Sequence, residues 1–537
     1  MIWTIAKKEF YSHLLTFRLW TGAVLCFIIV PFVLQVSLKR YQERLENYIQ
    51  VVQQFDKEVR AVPTYSFVRP TVVRSPQVLS IMCSGIEENV GDEIQIRLGQ
   101  VPFLPTGKVY GQDNPFLATF TSIDMTFVIL FVVSLFSLLL TYDAVSGEKE
   151  DGILRLMFTN HLSRRQVITA KYLGALLVII PFLVCLFAIA LLMMSFSPVV
   201  HLALVDSIGT AILFLIACVY ESVFLLLGLF ISTRTGTSAV SLMFSIFIWV
   251  MIVVVIPNGG FHLSGEISKI PSMKDINGTL EKIDNDRDKN FDQIQTKQPD
   301  DAISLINLHY EQRPDNGIWI AGNSRESYDY ITNVAASYDR LLVQYANRKE
   351  EVQKEYFDAL LRQKDITLRC LILSPASLFT SASASVADVG SESFLHFLDN
   401  ARTYRSGFIS YLKEKHQMYP YRYISPDDDR VIKPAKEWIA YWTNGKYKSY
   451  NELFANRTSD EWRKAFFQVF DTTGKMAFLD QRNFQPLDLS DMPAFQYVPL
   501  STGERVADSL YQMLILIGMN LFLFFVSHQS FVMYDVR

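Results

Sequence analysis

The chain has 537 residues, half of them apolar, and a formal charge of −4 at pH 7. Charge so near balance, with no clustered basic stripe, argues against a nucleic-acid partner. The apolar residues gather into six runs that reach or approach the roughly 20 helical residues needed to cross a hydrocarbon core of about 30 Å, which excludes an ordinary water-soluble globule.

Residues 1–18 place Ile2, Ile5, Ala6, Phe10, Leu14 and Phe17 at helical spacing, with Lys7, Lys8, Ser12 and His13 largely elsewhere around the helix. This predicts an amphipathic helix at the membrane interface, serving as a topology anchor or as an elbow that a partner also touches. The first span covers residues 19–36. It begins too late for a cleaved signal peptide, no small-residue cleavage site follows, and it reads as a retained span. Pro31 is expected to kink it or to be accommodated near its outer end. A polar helix then continues outward into a first external region, residues 37–116. There Val72–Val73, Val78–Met82 and Glu93–Leu98, separated by Pro and Gly, predict a small β element.

The second span is placed at 117–141, with Asp124 near its outer end to cap the helix or snorkel. A loop at 142–168 leads to spans at 169–196, 207–231 and 239–256. The second external region, 257–505, reads mostly helical. Ser324–Leu373 has no Gly or Pro and a period near 3.6, carried by Ile331, Val334, Ala335, Tyr338, Leu341, Leu342 and Tyr345. Pro375 is expected to end that helix, and a further helix is expected across Ser393–His416. A sixth span at 506–529 and a tail at 530–537 complete the chain.

Lys and Arg in the short flanking segments set the orientation. Lys7, Lys8 and Arg18 precede span one. Lys149, Arg155, Arg164, Arg165 and Lys171 lie between spans two and three, Arg234 lies between four and five, and Arg537 ends the chain. With six spans these fall on one side, so both termini are expected in the cytosol and both long insertions outside. Cys83 and Cys370 are then on the oxidising side, where a disulfide is permitted but not specified by spacing.

The loop Y-D-A-V-S-G-E-K-E-D-G-I-L-R-L-M-F-T-N-H-L-S-R-R, residues 142–165, is the most distinctive stretch. Ser146 and Gly147 end span two and turn the chain. Glu148, Glu150 and Asp151 gather at the start of a short helix, where the helix dipole favours acids. Asp151 and Arg155 stand four apart and can pair. Ile153, Leu154, Met157 and Phe158 give an apolar face. Ser163 with Gln166 is a capping-box pattern for span three, and Arg164 and Arg165, which oppose that dipole, suit anionic headgroups. These features fit a topology determinant, and they equally fit a surface helix on which another protein pushes.

The loop resembles the coupling segment of type-2 ABC exporter permeases, S-G-E-x-E-x-G-x-L-x-L-x-x-T/S-x-x-x-S-R. Ser146, Gly147, Glu148, Glu150, Gly152, Leu154, Leu156, Thr159, Ser163 and Arg164 match; Ile153 stands for a common Thr and His161 near a usual Pro. The spans are similar to those of permeases that serve maturation of copper enzymes such as nitrous oxide reductase. A related branch with large external insertions has segments similar to 75–87, 114–124 and 374–388 in the same order, followed by His396, Phe397 and Tyr404–Arg405. The resemblance implies an all-α membrane protein with six transmembrane helices of type-2 ABC exporter topology. It also implies a large, mostly helical extracytoplasmic domain with minor β structure. The chain would pair with a second copy or a homologous permease in the bilayer and dock two ABC ATPase subunits. Ser146, Gly147, Glu148, Glu150, Gly152, Leu154, Arg155 and Phe158 would couple it to them. No G-x-x-x-x-G-K-S/T phosphate loop occurs, P-T-G-K at 105–108 lacking the upstream Gly. ATP and Mg would therefore be held by the partner ATPase, with no cofactor bound directly and no enzyme activity in this chain.

Glu221, next to Tyr220 near the middle of span four, is expected to face the bundle interior. It is either a polar point on a substrate or proton path or a hydrogen bond between helices. His262, His309, His396 and His416 show no metal-ligand spacing, and no nucleophile elbow occurs. Beside an exporter permease, two further readings stay open: a mechanotransmission module that moves its external domains without moving solute, and a membrane-anchored enzyme with an external active site.

Overall fold

The computed structural model describes residues 2–60, 68–86, 92–102, 123–154, 163–295, 325–414, 445–446, 448 and 489–533. Arg155, Met157, Phe158, Thr159, His309, His416 and the expected start of span two at 117–122 lie outside the described residues. Six helices among the described residues are long and apolar enough to cross a membrane, so the chain is an all-α membrane protein with minor strands.

A short helix, α1 (Ile2–Leu14), precedes α2 (Phe17–Arg60), which carries the first span. At 44 residues α2 runs well beyond any bilayer, since about 20 residues suffice to cross one. Pro31 sits inside it without ending it. The second span is α3 (residues 125–141), continued by the five-residue α4 (Ser146–Glu150). Asp124 caps α3: its carboxylate accepts from the amides of Phe127 and Ser84, both at 2.7 Å. Then come α5 (Arg164–Phe196), α6 (Leu204–Arg234), α7 (Ser238–Ile267) and, last in the chain, α12 (Thr502–Val532). Pro257 lies in α7 just after a π-type turn at Met251–Val255. Proline has no N–H and its ring crowds the carbonyl four residues back, here Val253, so the widened turn lets the helix pass through it.

We call the end of the bundle bearing α1 basal and the opposite end distal. The distal end carries β1 (Thr71–Val73) paired antiparallel with β2 (Glu93–Gln95), Val72 opposite Ile94. It also carries α8 (Met273–Gln295), α9 (Arg325–Cys370) and α11 (Ser391–Glu414). Their shared core includes Val72, Ile96, Tyr356, Phe357, Leu360 and Phe397. Arg74, 1% exposed, is held there by Asp92 at 3.0 Å and by Ser393 at 2.9 Å. Val78–Ile81 forms a 3₁₀ turn rather than the expected strand. The Gln77 carbonyl takes both the amide and the hydroxyl of Ser80, closing a turn where a strand would leave them open. Cys83 and Cys370 are not joined in a disulfide.

The largest departure from the sequence reading is α10 (Pro375–Val386), which lay within the expected external region. It packs against α6 and α12, and Ala376, Leu378, Phe379, Ala382 and Val386 join the same core as the spans. A 3₁₀ turn at Leu371–Leu373 brings the chain from α9 into the bundle, with Leu371 against Gly260 of α7. Pro375 starts this helix as well as barring a simple continuation of α9. From there α10 climbs back to the distal end. Gly85 lies so close to that end that a Cβ there would stand 1.8 Å from the Val389 carbonyl oxygen. Gly85→Ala is therefore expected to cost about 1–3 kcal/mol through forced backbone movement, read as a lowered unfolding temperature of the purified protein.

Candidate functional site

The basal end is organised around α4, whose residues S-G-E-K-E meet the ends of α5, α6 and α7. Just ahead of it, the amides of Val145 and Ser146 both donate to the Ser232 hydroxyl at 2.9 Å, fixing the end of α3 to the end of α6. Gly147 lies where a Cβ would come within 3.4 Å of the Ser238 hydroxyl at the start of α7. Glu148 accepts from Lys171 of α5 at 2.7 Å. Lys149 donates to the carbonyls of Thr233 and Thr235 at 2.6 and 3.0 Å, capping the C-terminus of α6 with a cation. Glu150 accepts from the Ser238 amide at 3.0 Å, capping the N-terminus of α7. Arg18 at the start of α2 pairs with Asp143 at 2.6 Å, and Thr233 bonds Ser530 of α12 at 2.9 Å. All six spans are thus tied into one polar hub.

Lys171 is 3% exposed and bridges two carboxylates, Glu148 and Glu9, the latter at 3.1 Å. Burial works against the charged form of Glu9, but Lys171 and Lys8 outweigh it and hold its carboxyl below the ordinary value. The neighbouring His13, also half-buried, is pushed down by burial despite Glu9 and Asp143. α1 therefore turns Ala6 and Glu9 inward against α5 rather than lying only as an apolar face on lipid. Gly174 permits this, since a Cβ there would meet the Glu9 Cβ at 2.7 Å.

The sequence-derived coupling residues divide into two sets. Ser146 and Leu154 are buried, Leu154 among Val145, Val167, Ile168, Leu229 and Phe531. Glu148 points inward to Lys171. Glu150, Asp151, Gly152 and Ile153 form the exposed tip, and Gly152 adopts φ +71, the left-handed turn that glycine tolerates. Two expectations change. Glu148 and Glu150 serve neighbouring helices rather than the dipole of their own short one. Arg164 donates to the Val532 carbonyl at 2.6 Å, capping α12, so its place near the dipole of α5 has a protein cause and not only a lipid one. Ser163 caps α5 by accepting from the Gln166 amide. Sequence reasoning missed Glu9, Lys171 and Ser232 as parts of the site. The available signal was a lysine beside an apolar run, which burial obliges to find carboxylates.

Glu221 is fully buried in α6 and accepts from Ser137 of α3 at 2.6 Å, while its Oε1 has no hydrogen-bond partner among the described residues. Tyr220 does not serve it: its hydroxyl donates to the Leu130 carbonyl at 3.0 Å. Replacing a half-satisfied buried carboxyl with a well-packed apolar group is often neutral or stabilising. Glu221→Leu is thus expected to raise the unfolding temperature, and wild-type activity in that variant would remove Glu221 from any transport path.

A bundle of six membrane-length helices, knotted by polar contacts at one end and carrying a helical domain at the other, is the architecture of a polytopic membrane protein. The sequence matches the family model for ABC-2 family transporter protein over residues 3–412, and the chain belongs to that family. It is 43% identical over 83 residues to the probable ABC transporter permease protein NosY of Stutzerimonas stutzeri. That alignment covers 14% of this chain and 30% of the relative's length.

Proposed function

We propose that this chain is the permease subunit of an ATP-binding cassette transporter, with the basal end in the cytosol of a bacterial inner membrane. Two separate ATPase subunits, which hold ATP and Mg, press on the exposed tip at 150–153, and a second permease copy or homologue completes the assembly. The observation that carries this reading is the hub. A push on α4 reaches all six spans through short polar contacts, which is what a coupling element requires. A ligand or partner shifts a conformational equilibrium only through different affinity for its two states, so closure of the ATPases must favour one arrangement of the hub.

A second reading, mechanotransmission to the distal domain without solute movement, is favoured by α10, which packs into the core of the bundle against α6 and α12 and leads on to the distal domain. The cleft between α5, α6 and α12, about 300 Å³ and lined by Leu176, Val219, Ile517 and Leu521 among others, is open rather than enclosed. Co-purification with the cognate ATPase, followed by ATP turnover with and without this chain in lipid nanodiscs, tests the common part. A stable complex with altered turnover is expected. Absence of both would overturn the assignment.

A further inference from the structure

Spans two and five share one irregularity. The turn Ile129–Val133 in α3 is of π type, like Met251–Val255 in α7. Each π-turn bypasses one carbonyl. The Ser134 amide reaches the Ile129 oxygen and leaves Leu130 without its usual helical donor. The Ile256 amide reaches the Met251 oxygen and leaves Ile252 in the same position. A buried carbonyl needs a partner, and each finds side-chain donors: Tyr220 at 3.0 Å and the Ser134 hydroxyl donate to Leu130, and Ser374 donates to Ile252 at 3.0 Å.

Tyr220 and Ser374 lead to α10. Ser374 is its N-cap, and the Tyr220 ring stacks on Phe379 with centroids 4.4 Å apart. The two π-turns therefore hold one 12-residue helix from two sides. At its other end, Asp388 follows α10 at φ +58 and pairs with Arg505 of α12 at 3.1 Å, both side chains buried. The Val389 carbonyl takes the Ile86 amide at 3.1 Å, joining α10 to the distal domain. Spans two and five also meet at the hub, where Glu150 caps α7.

A π-turn is an α-helix with one extra residue in the turn. In span two, where no proline follows the turn, return to α register gives the Leu130 carbonyl back to the Ser134 amide and frees the Tyr220 hydroxyl. We propose that α10 is a switched link: a register change in the π-turn of span two, driven from the hub, releases or retakes the Tyr220 hydroxyl beneath Phe379, while the π-turn of span five, which accommodates Pro257, holds the inner end of α10 at Ser374. The helix then carries the movement to the distal domain through Val389 and Ile86, beside the Asp388–Arg505 pair that ties its outer end to α12. This rests on the coupling role proposed for the hub.

Hydrogen–deuterium exchange on the native complex with its ATPase, nucleotide-free and trapped with Mg-ATP and vanadate, tests the link. Amides of 371–389 are expected to change their exchange rate about ten-fold or more between the two states. Peptides over 142–154 are expected to change as well. Tyr220→Phe, which removes one hydroxyl and keeps the ring on Phe379, is expected to shrink the difference at 371–389 while 142–154 still responds. A response at 142–154 with none at 371–389 would overturn the link alone. No response at either would overturn the link together with the coupling role.

Discussion

Lys171→Met is expected to destabilise the protein by about 3–5 kcal/mol, the usual consequence of removing one member of a buried charge cluster. The side chain is buried between Glu9 at 3.1 Å and Glu148 at 2.7 Å, and both acids are themselves largely shielded. Methionine matches the length of lysine, so the loss is mainly of charge rather than of volume. It leaves two carboxylates facing each other, with Lys8 at 3.3 Å from Glu9 and 3.7 Å from Glu148 as the nearby cation. The triple variant Glu9→Gln, Glu148→Gln, Lys171→Met is expected to recover much of the loss, because it leaves no buried carboxylate without its cation. Thermal unfolding in detergent reads both. A single variant as stable as wild type would show that the cluster is solvated and not structural.

The acid limb gives the sign of the same effect. In the wild type the Glu9 carboxyl lies below its ordinary value of 4.5, so the folded state binds fewer protons than the unfolded state in that window. Its contribution is fully present above pH 4.5 and is lost as pH falls through the lowered folded value. Without Lys171, burial dominates and favours the neutral acid. The stability gap between wild type and Lys171→Met should therefore narrow as pH falls from 7 to about 4.

Ile153→Asp should separate docking from folding. Ile153 is 42% exposed on the tip, whereas Leu154 beside it is 1% exposed. An aspartate at 153 adds charge to an exposed apolar contact. If the tip receives the ATPase, affinity is expected to fall about 10–30-fold, the scale of a central interface residue, with unfolding temperature unchanged. Leu154→Ala should do the reverse, costing about 2–5 kcal/mol of stability by cavity formation. Unchanged ATPase affinity in Ile153→Asp would place the contact elsewhere on the basal surface. The motif alone does not distinguish these two positions, since both belong to the same apolar face by helical spacing.

How far the fold was legible in the sequence varies by element. The apolar runs are visible because a bilayer imposes a length, and a window of that length responds to each of them. The Asp124 cap and the Ser163 cap were also readable, because capping acts over three or four residues. The helix Arg325–Cys370 followed from its unbroken period and from the absence of Gly and Pro. By contrast, α10 is 12 residues long and rich in Ser and Ala. It is too short and too mildly apolar to register as a membrane segment, and no local rule places it inside the bundle.

The sequence by itself determined the six spans, the caps at Asp124 and Ser163 and the loop that joins spans two and three, because all of these depend on interactions between near neighbours in the chain. Only the tertiary structure decided that Lys171 belongs with Glu9 and Glu148, respectively 162 and 23 residues away. It alone decided that Leu154 points inward and Ile153 outward, and that Ser374 and Tyr220 answer the carbonyls bypassed by two π-turns. The physical reason is that hydropathy and capping are encoded locally. The partner of a buried charge or an orphaned carbonyl is chosen instead by which helices lie side by side.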